Sequence, residues 1–383
     1  MIWPRFEEDE IEAATRVLRS GRVNYWTGGE GRAFEAELAT YLGVGHGIAL
    51  ANGTVAIELA LWALGIDAGE VVVPARTFVA TAHAVRMRGA TPVFADVDRD
   101  HGGMSASTLE ARLSPRTRAV IVVHLGGWPC DIEEIAALCR ERGLPLVEDC
   151  AQAHGAAVRG RKVGSFGTAA AFSFCQDKIL TTAGEGGMLV TDDEALWKQA
   201  WSLKDHGKDW DEVHRDDHPP GFRWLHQRLG TNWRLSELQS AVGRVQLGKL
   251  DRWLRHRRQL AALLDERLGA VPGLRVPRPP AGVEPAYYKH YAYVDPTALA
   301  AGWSRDRIMA EVGARGCYCA SGSCSEIYLE AAFPEAMRPH PRLPVAKELG
   351  ETSLMFRVDP TVSEAEIERT GEVVAAVMAE ATA

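Results

Sequence analysis

The chain has 383 residues, 46% hydrophobic and 25% charged, the mixture of a globular protein and not of a disordered one. Its 43 basic residues against 51 acidic ones leave a net charge of −8, which argues against a broadly basic nucleic-acid surface. No run approaches the ~18 unbroken apolar residues of a membrane span, and the acidic start MIWPRFEEDE lacks the basic-then-apolar order of a signal peptide. A cytoplasmic protein with neither membrane nor nucleic-acid partners is expected.

In chain order, EIEAATRVLRSG (10–21) is an amphipathic helix stopped by Gly21. ANGTVAIELALWALG (51–65) is apolar nearly all round after its Asn-Gly-Thr start, which suits a buried helix. Strand-length apolar runs follow near 71, 91, 118, 144, 168 and 186, with helical patterns such as DIEEIAALCRERG (131–143) between several of them. Continuous apolar runs separated by helices predict a mostly parallel sheet covered on both faces. Ser236 and Gln239 form a capping box that opens a helix, and a second helix is expected over about 245–269. The basic run RWLRHRR (252–258) within it reads as a solvated face.

Five prolines between 272 and 285 fix too many φ angles for helix or central strand, so a surface connection is expected there. YYKHYAYVD, a helix near 304–315, SLMFRVDP and a capped helix from Ser363 then describe a smaller α+β unit. The expected organisation is a large α/β domain over 1–250 and a small C-terminal α+β domain over 251–383. The cysteines, seven in number, read as reduced thiols. Cys317, Cys319 and Cys324 lack a second ligand pair at zinc spacing, so no metal is expected.

Several residues in the large domain carry chemistry. Gly53 and Thr54 open the buried helix, where free N–H groups and the helix dipole favour a phosphate. Asp149 ends the strand LPLVED, and ligands of open α/β sheets sit beyond such strand ends. Only eight of the 43 basic residues are lysines. One of them, Lys178, lies between a strand and the turn Gly184–Gly187, and Lys, unlike Arg, can form a Schiff base. Phe78 offers an aromatic ring and Ser173 a hydroxyl. Together these are parts of a pyridoxal 5′-phosphate (PLP) site. A carboxylate ~4 Å from the ring nitrogen at an effective dielectric of ~20 is worth ~4 kcal/mol, about three pKa units, in keeping it protonated. That is the role expected of Asp149; Lys178 holds the cofactor and moves the proton.

The blocks RSGRVNYWTGGEGRAFE, ANGTVAIELAL, VHLGGWPCDI, VEDCAQAHGA, FSFCQDKILTTAGEGGM and GTNWRLSELQSAVGRVQL resemble the DegT–StrS group of PLP-dependent sugar aminotransferases over nearly the whole chain. The resemblance implies a fold-type I PLP-dependent transferase working as a homodimer with shared active sites. It implies Lys178 as the Schiff-base lysine, Asp149 as the pyridinium partner, Phe78 stacked on the ring and Gln152 near the 3-hydroxyl. Gly53, Thr54 and Ser173 match the phosphate cradle, and Asn232 matches a residue that reaches the phosphate from the neighbouring subunit. Cys175 and Ile179 depart from residues common in the group. Lys178, which the dehydratase branch replaces with His, is intact.

The expected reaction is transfer of an amino group from glutamate or glutamine to a keto sugar on a nucleotide, in amino-deoxysugar biosynthesis. A keto-cyclitol acceptor, a PLP-dependent sugar dehydratase and a non-catalytic PLP-binding regulator are the alternatives. Tyr25 and Trp26, in a polar Gly-flanked stretch, are expected to contact the sugar nucleotide. The polar segment 205–226 reads as a substrate loop.

Overall fold

The computed structural model describes residues 3–215 and 224–383. Helices α1 (Glu8–Ser20) and α2 (Glu30–Leu42) lead into seven strands: β1 (His46–Leu50), β2 (Glu70–Pro74), β3 (Thr91–Ala95), β4 (Thr117–Val123), β5 (Leu146–Asp149), β6 (Ala169–Ser173) and β7 (Gly187–Thr191). They form one sheet in the order β1-β7-β6-β5-β4-β2-β3. The pairings among β2 to β6 are parallel, whereas β7 runs antiparallel to both of its neighbours. The sheet is therefore mixed and mostly parallel. Strands β4 to β6 are buried at nearly every position, as expected where helices cover both faces.

Helices α3 (Gly53–Ala63), α4 (Ala80–Met87), α5 (Ile132–Glu141) and α6 (Glu194–Lys204) supply that cover. Strand β1 escaped the sequence reading, because His46 and Gly47 break the apolar run of an otherwise buried strand. Gly47 is needed there, since a Cβ would lie 2.8 Å from the Glu35 carbonyl oxygen of α2.

Two expected helices are one. Helix α7 (Glu237–Gly269) runs unbroken for 33 residues from the Ser236 capping box. No proline interrupts it, and Gly243 marks close packing instead of a break: a Cβ would sit 2.7 Å from the Phe34 ring. The basic run on α7 is only partly solvated, because Arg257 is fully buried and donates to the Tyr287 and Tyr288 carbonyls.

Beyond α7, strands β8 (Leu274–Arg275), β9 (His290–Val294) and β10 (Ser353–Phe356) form a three-stranded antiparallel sheet, β8-β9-β10. The proline-rich connection thus contributes an edge strand, a position where the missing N–H groups of neighbouring prolines cost nothing. Helices α8 (Arg305–Ala314), α9 (Pro344–Thr352) and α10 (Glu364–Ala381) complete this part. The polar segment that begins at 205 is more ordered than a loop: Trp210–His214 is a short helix, while its residues 216–223 lie outside the described residues.

Helix α7 belongs to two cores. Leu250 and Leu254 pack with β6, β7 and α2, while Leu260, Leu264 and Leu268 pack with β9, β10 and α10. Because one rigid helix carries both, Leu250→Ala and Leu264→Ala should each cost about 2–5 kcal/mol and shift the same unfolding transition. Denaturant unfolding followed by circular dichroism checks this. Two separated transitions would show that the cores fail independently.

Candidate active site

The carboxyl ends of β2, β4, β5 and β6 open into one cavity of about 1030 Å³. At the end of β1 the chain turns through Asn52, whose extended backbone and side chain cap α3, with Oδ1 accepting from the Val55 N–H at 3.0 Å. That leaves the first N–H groups of α3 facing the cavity without an intrahelical acceptor. Gly53 must be glycine because the helix start presses on β6: a Cβ would lie 2.6 Å from that of Ser173. Helix N-terminus and Ser173 hydroxyl are thereby locked side by side.

Asp149 ends β5 and is 6% exposed. Its Oδ2 accepts from the Thr81 hydroxyl at 2.8 Å and its Oδ1 from the Ala151 N–H at 3.1 Å. No cation pairs with it among the described residues. Burial therefore raises its pKa, although Thr81, the Ala151 N–H and more distant Lys178 oppose the shift. Such a carboxylate is the natural partner of a cation that arrives with a ligand.

Lys178 follows the turn after β6 with its side chain 16% exposed; its Nζ lies 3.6 Å from Asp177 Oδ1 and 5.0 Å from the Tyr288 ring centroid. Asp177 also accepts from the Tyr288 hydroxyl. Burial works against the charged form of Asp177, but Lys178, this hydroxyl and Lys289 hold its carboxyl below the usual range. Phe78, beyond β2, is 67% exposed, so a ring that would pass for core in sequence stands open beside the cavity instead.

Gln152 accepts from the Gly126 N–H at 2.7 Å, tying the turn after β5 to the glycine pair after β4. Gly127 has φ +88°, and a Cβ there would meet the backbone nitrogens of Tyr288 and Tyr287 and the Gln152 carbonyl oxygen, all within 2.9 Å. The Gly126 and Gly127 carbonyls accept from the Lys289 and Ala286 N–H groups. This contact draws the segment ahead of β9 against the large sheet.

Gly53, Thr54, Phe78, Asp149, Gln152, Ser173 and Lys178 thus line a single cavity. Three expected residues do not. Tyr25 is buried, with its hydroxyl on Glu35, and Trp26 donates its indole N–H to Asp205. Asp205 is fully buried and also accepts from Lys208 and Arg234. Within this chain the pair Tyr25–Trp26 is therefore packing around a buried ion cluster, and not a wall of the cavity. Asn232 is exposed and bridges to Asp205 through the backbone, and it does not line this chain's own cavity.

Sequence reasoning overlooked Thr81, Tyr288 and Lys289, together with the wall that Tyr318, Ser321, Ser323, Cys324 and Glu330 build from the C-terminal part. The one signal available was lysine scarcity, which should have drawn attention to Lys289.

The description of the DegT/DnrJ/EryC1/StrS aminotransferase family matches residues 4–377. The chain belongs to this family. It is 38% identical over 353 residues, 92% of this chain and 89% of the relative, to the UDP-N-acetyl-3-dehydro-alpha-D-glucosamine 3-aminotransferase of Acidithiobacillus ferrooxidans. The aminotransferase structure from Psychrobacter cryohalolentis superposes with a TM-score of 0.97 at 48% identity, covering 100% of this chain and 99% of that one. DesV of S. venezuelae, solved in complex with a ketimine intermediate, gives 0.88 at 33% identity, covering 97% and 94%.

The protein is accordingly an aminotransferase with the mixed α/β fold of this family, and the family and these neighbours indicate dependence on PLP and its amino form. No helix among the described residues is long and apolar enough to cross a membrane.

Gly127 gives a direct check on how the cavity is assembled. Gly127→Ala should lower stability by about 2 kcal/mol or more, read from the denaturant midpoint. Gly143→Ala is the control: its φ is also left-handed but nothing lies within 4 Å of its Cβ, so it should cost clearly less. Equal losses would show that contact with Tyr288 and Gln152 is not what Gly127 serves.

Proposed function

We propose that this aminotransferase moves an amino group from glutamate or glutamine, through PLP, to a keto sugar carried on a nucleotide, in amino-deoxysugar biosynthesis. The observation that carries the reading is one cavity holding Lys178, a buried carboxylate that pairs with no cation among the described residues, and a capped helix N-terminus beside Ser173. The Acidithiobacillus relative, a UDP-N-acetyl-3-dehydro-alpha-D-glucosamine 3-aminotransferase, supports the nucleotide-sugar acceptor.

The residues fit the cofactor. Gly53, Thr54 and Ser173 would take its phosphate, because the α3 N–H groups and the hydroxyl offer donors and a positive dipole end. Asp149 would face its ring nitrogen, and Thr81 orients that carboxylate. Phe78 would cover its ring and Gln152 would lie near its 3-hydroxyl. Bound there, PLP supplies an electron sink for the carbon that gives up a proton. Lys178 Nζ would hold the cofactor and, as a free amine, would take up and return the proton at the donor α carbon. Asp177 keeps Nζ close by.

The same reading assigns Asn232 to the neighbouring subunit's site in a homodimer, which is supported by its exposure and by its not lining this chain's own cavity. It treats 1–250 as the cofactor-binding domain and 251–383 as a smaller domain that closes the cavity, with α7 crossing between them. The enzyme would work in the cytoplasm.

The absorbance spectrum of the purified protein tests the proposal. A visible band that bleaches with L-glutamate or L-glutamine, and is absent in Lys178→Ala together with all turnover, is the expected outcome. Asp149→Asn, which leaves the ring nitrogen without an ionised partner, should lower kcat by at least about a hundredfold. A fully active Lys178→Ala would overturn the assignment.

A further inference from the structure

The cavity has an unusual charge inventory. Its carboxylates are Asp149, Asp177, Glu185 and Glu330, while its cations among the described residues are Lys178 and Lys289. Lys178 is committed to the cofactor in the reading above, on which this inference rests. Every donor amino acid brings at least one carboxylate into the same space, and a carboxylate taken out of water needs a cation or several donors.

Lys289 has the geometry for it. Its Nζ lies 4.8 Å from the Tyr288 ring centroid, and Lys178 Nζ lies 5.0 Å from the same centroid, so both ammonium groups lie against one ring. A donor whose amine takes the place of Lys178 Nζ carries its carboxylates only a few bonds further. Among the described residues the Lys289 ammonium makes no hydrogen bond and no ion pair, its one polar contact being that ring. Its backbone is fixed, because the Lys289 N–H donates to the Gly126 carbonyl at 3.2 Å and Tyr288 is anchored on Asp177. Burial and nearby Arg257 depress its pKa, with Asp359 and Asp177 acting in the opposite sense; an anion bound at Nζ would relieve that cost. In a chain that uses arginine for most of its positive charges, a compact ammonium has been kept where a small anion must be met.

We infer that Lys289 is the donor-binding residue of this aminotransferase, its ammonium pairing with a carboxylate of the amino-group donor.

Holoenzyme carrying Lys289→Met is compared with wild type in three titrations: L-glutamate and L-glutamine, followed by bleaching of the visible band, and glutarate, which cannot react, followed by calorimetry. Loss of a charge-assisted pair should raise the dissociation constant about tenfold or more while the limiting bleaching rate changes little. Lys289→Arg should recover much of the affinity. A rise for both amino acids places the α-carboxylate on Lys289, and a rise for glutamate and glutarate alone places the side-chain carboxylate there; either outcome supports the inference. Unchanged constants for all three overturn it, as does an effect confined to the KM of a keto sugar nucleotide. Lys289→Gln serves as the second variant should the Met form lose the visible band. Failure of wild type to bleach with any donor would instead count against the aminotransfer reading itself.

Discussion

A buried carboxylate that pairs with no cation among the described residues is the constraint around which this molecule is arranged. Asp149 sits at the end of a strand whose every residue is buried, where an isolated charge is costly. The fold reduces that cost only in part, with one hydroxyl and one backbone N–H. It then leaves the remaining side open to a cavity. On the reading proposed above, the exposed Phe78 ring, the start of α3 and the Lys178 amine in the same cavity would serve a cofactor with a cationic ring. The parallel strands aim their carboxyl ends at one place, and the antiparallel β7 brings the chain back to it. Glycines then set the spacing, as at Gly187, where a Cβ would lie 2.3 Å from the Asn52 carbonyl oxygen.

The local chemistry was legible from the sequence where one residue type has one physical use. Asn52 ahead of an apolar helix, Asp149 closing an apolar strand, and Lys178 beside a glycine-rich turn could each be placed because caps, strand ends and turns are local properties. Strand β1 was not legible, since Gly47 belongs to a contact with α2 that no periodicity encodes. The length of α7 was missed as well: its single unbroken run takes in Gly243, which the close approach of Phe34 requires.

Tyr25 and Trp26 mislead in the opposite direction. A polar, glycine-flanked stretch ordinarily faces solvent, but Trp26 finds a partner 179 residues away in Asp205, which Lys208 and Arg234 also contact. Long-range ion clusters of this kind bury aromatic residues wherever their donors can be satisfied. No local reading predicts them.

The two halves of the chain meet through backbone, and this has consequences for selectivity. Gly126 and Gly127 hold the Ala286–Lys289 segment by hydrogen bonds that do not depend on side-chain identity. The cofactor face and the segment bearing Lys289 are therefore fixed relative to one another whatever the acceptor. The adjoining wall, Tyr318 to Cys324, is built differently. Gly322 sits at φ +82° against the Tyr291 ring, and small residues with short polar groups, Ser321 and Ser323, surround it. A wall of small side chains can change its lining without disturbing the core behind it. On the reading proposed above, donor binding would fall on the backbone-fixed side and acceptor choice on the wall of small residues, so that the first half of a transamination could persist while the second half is retuned.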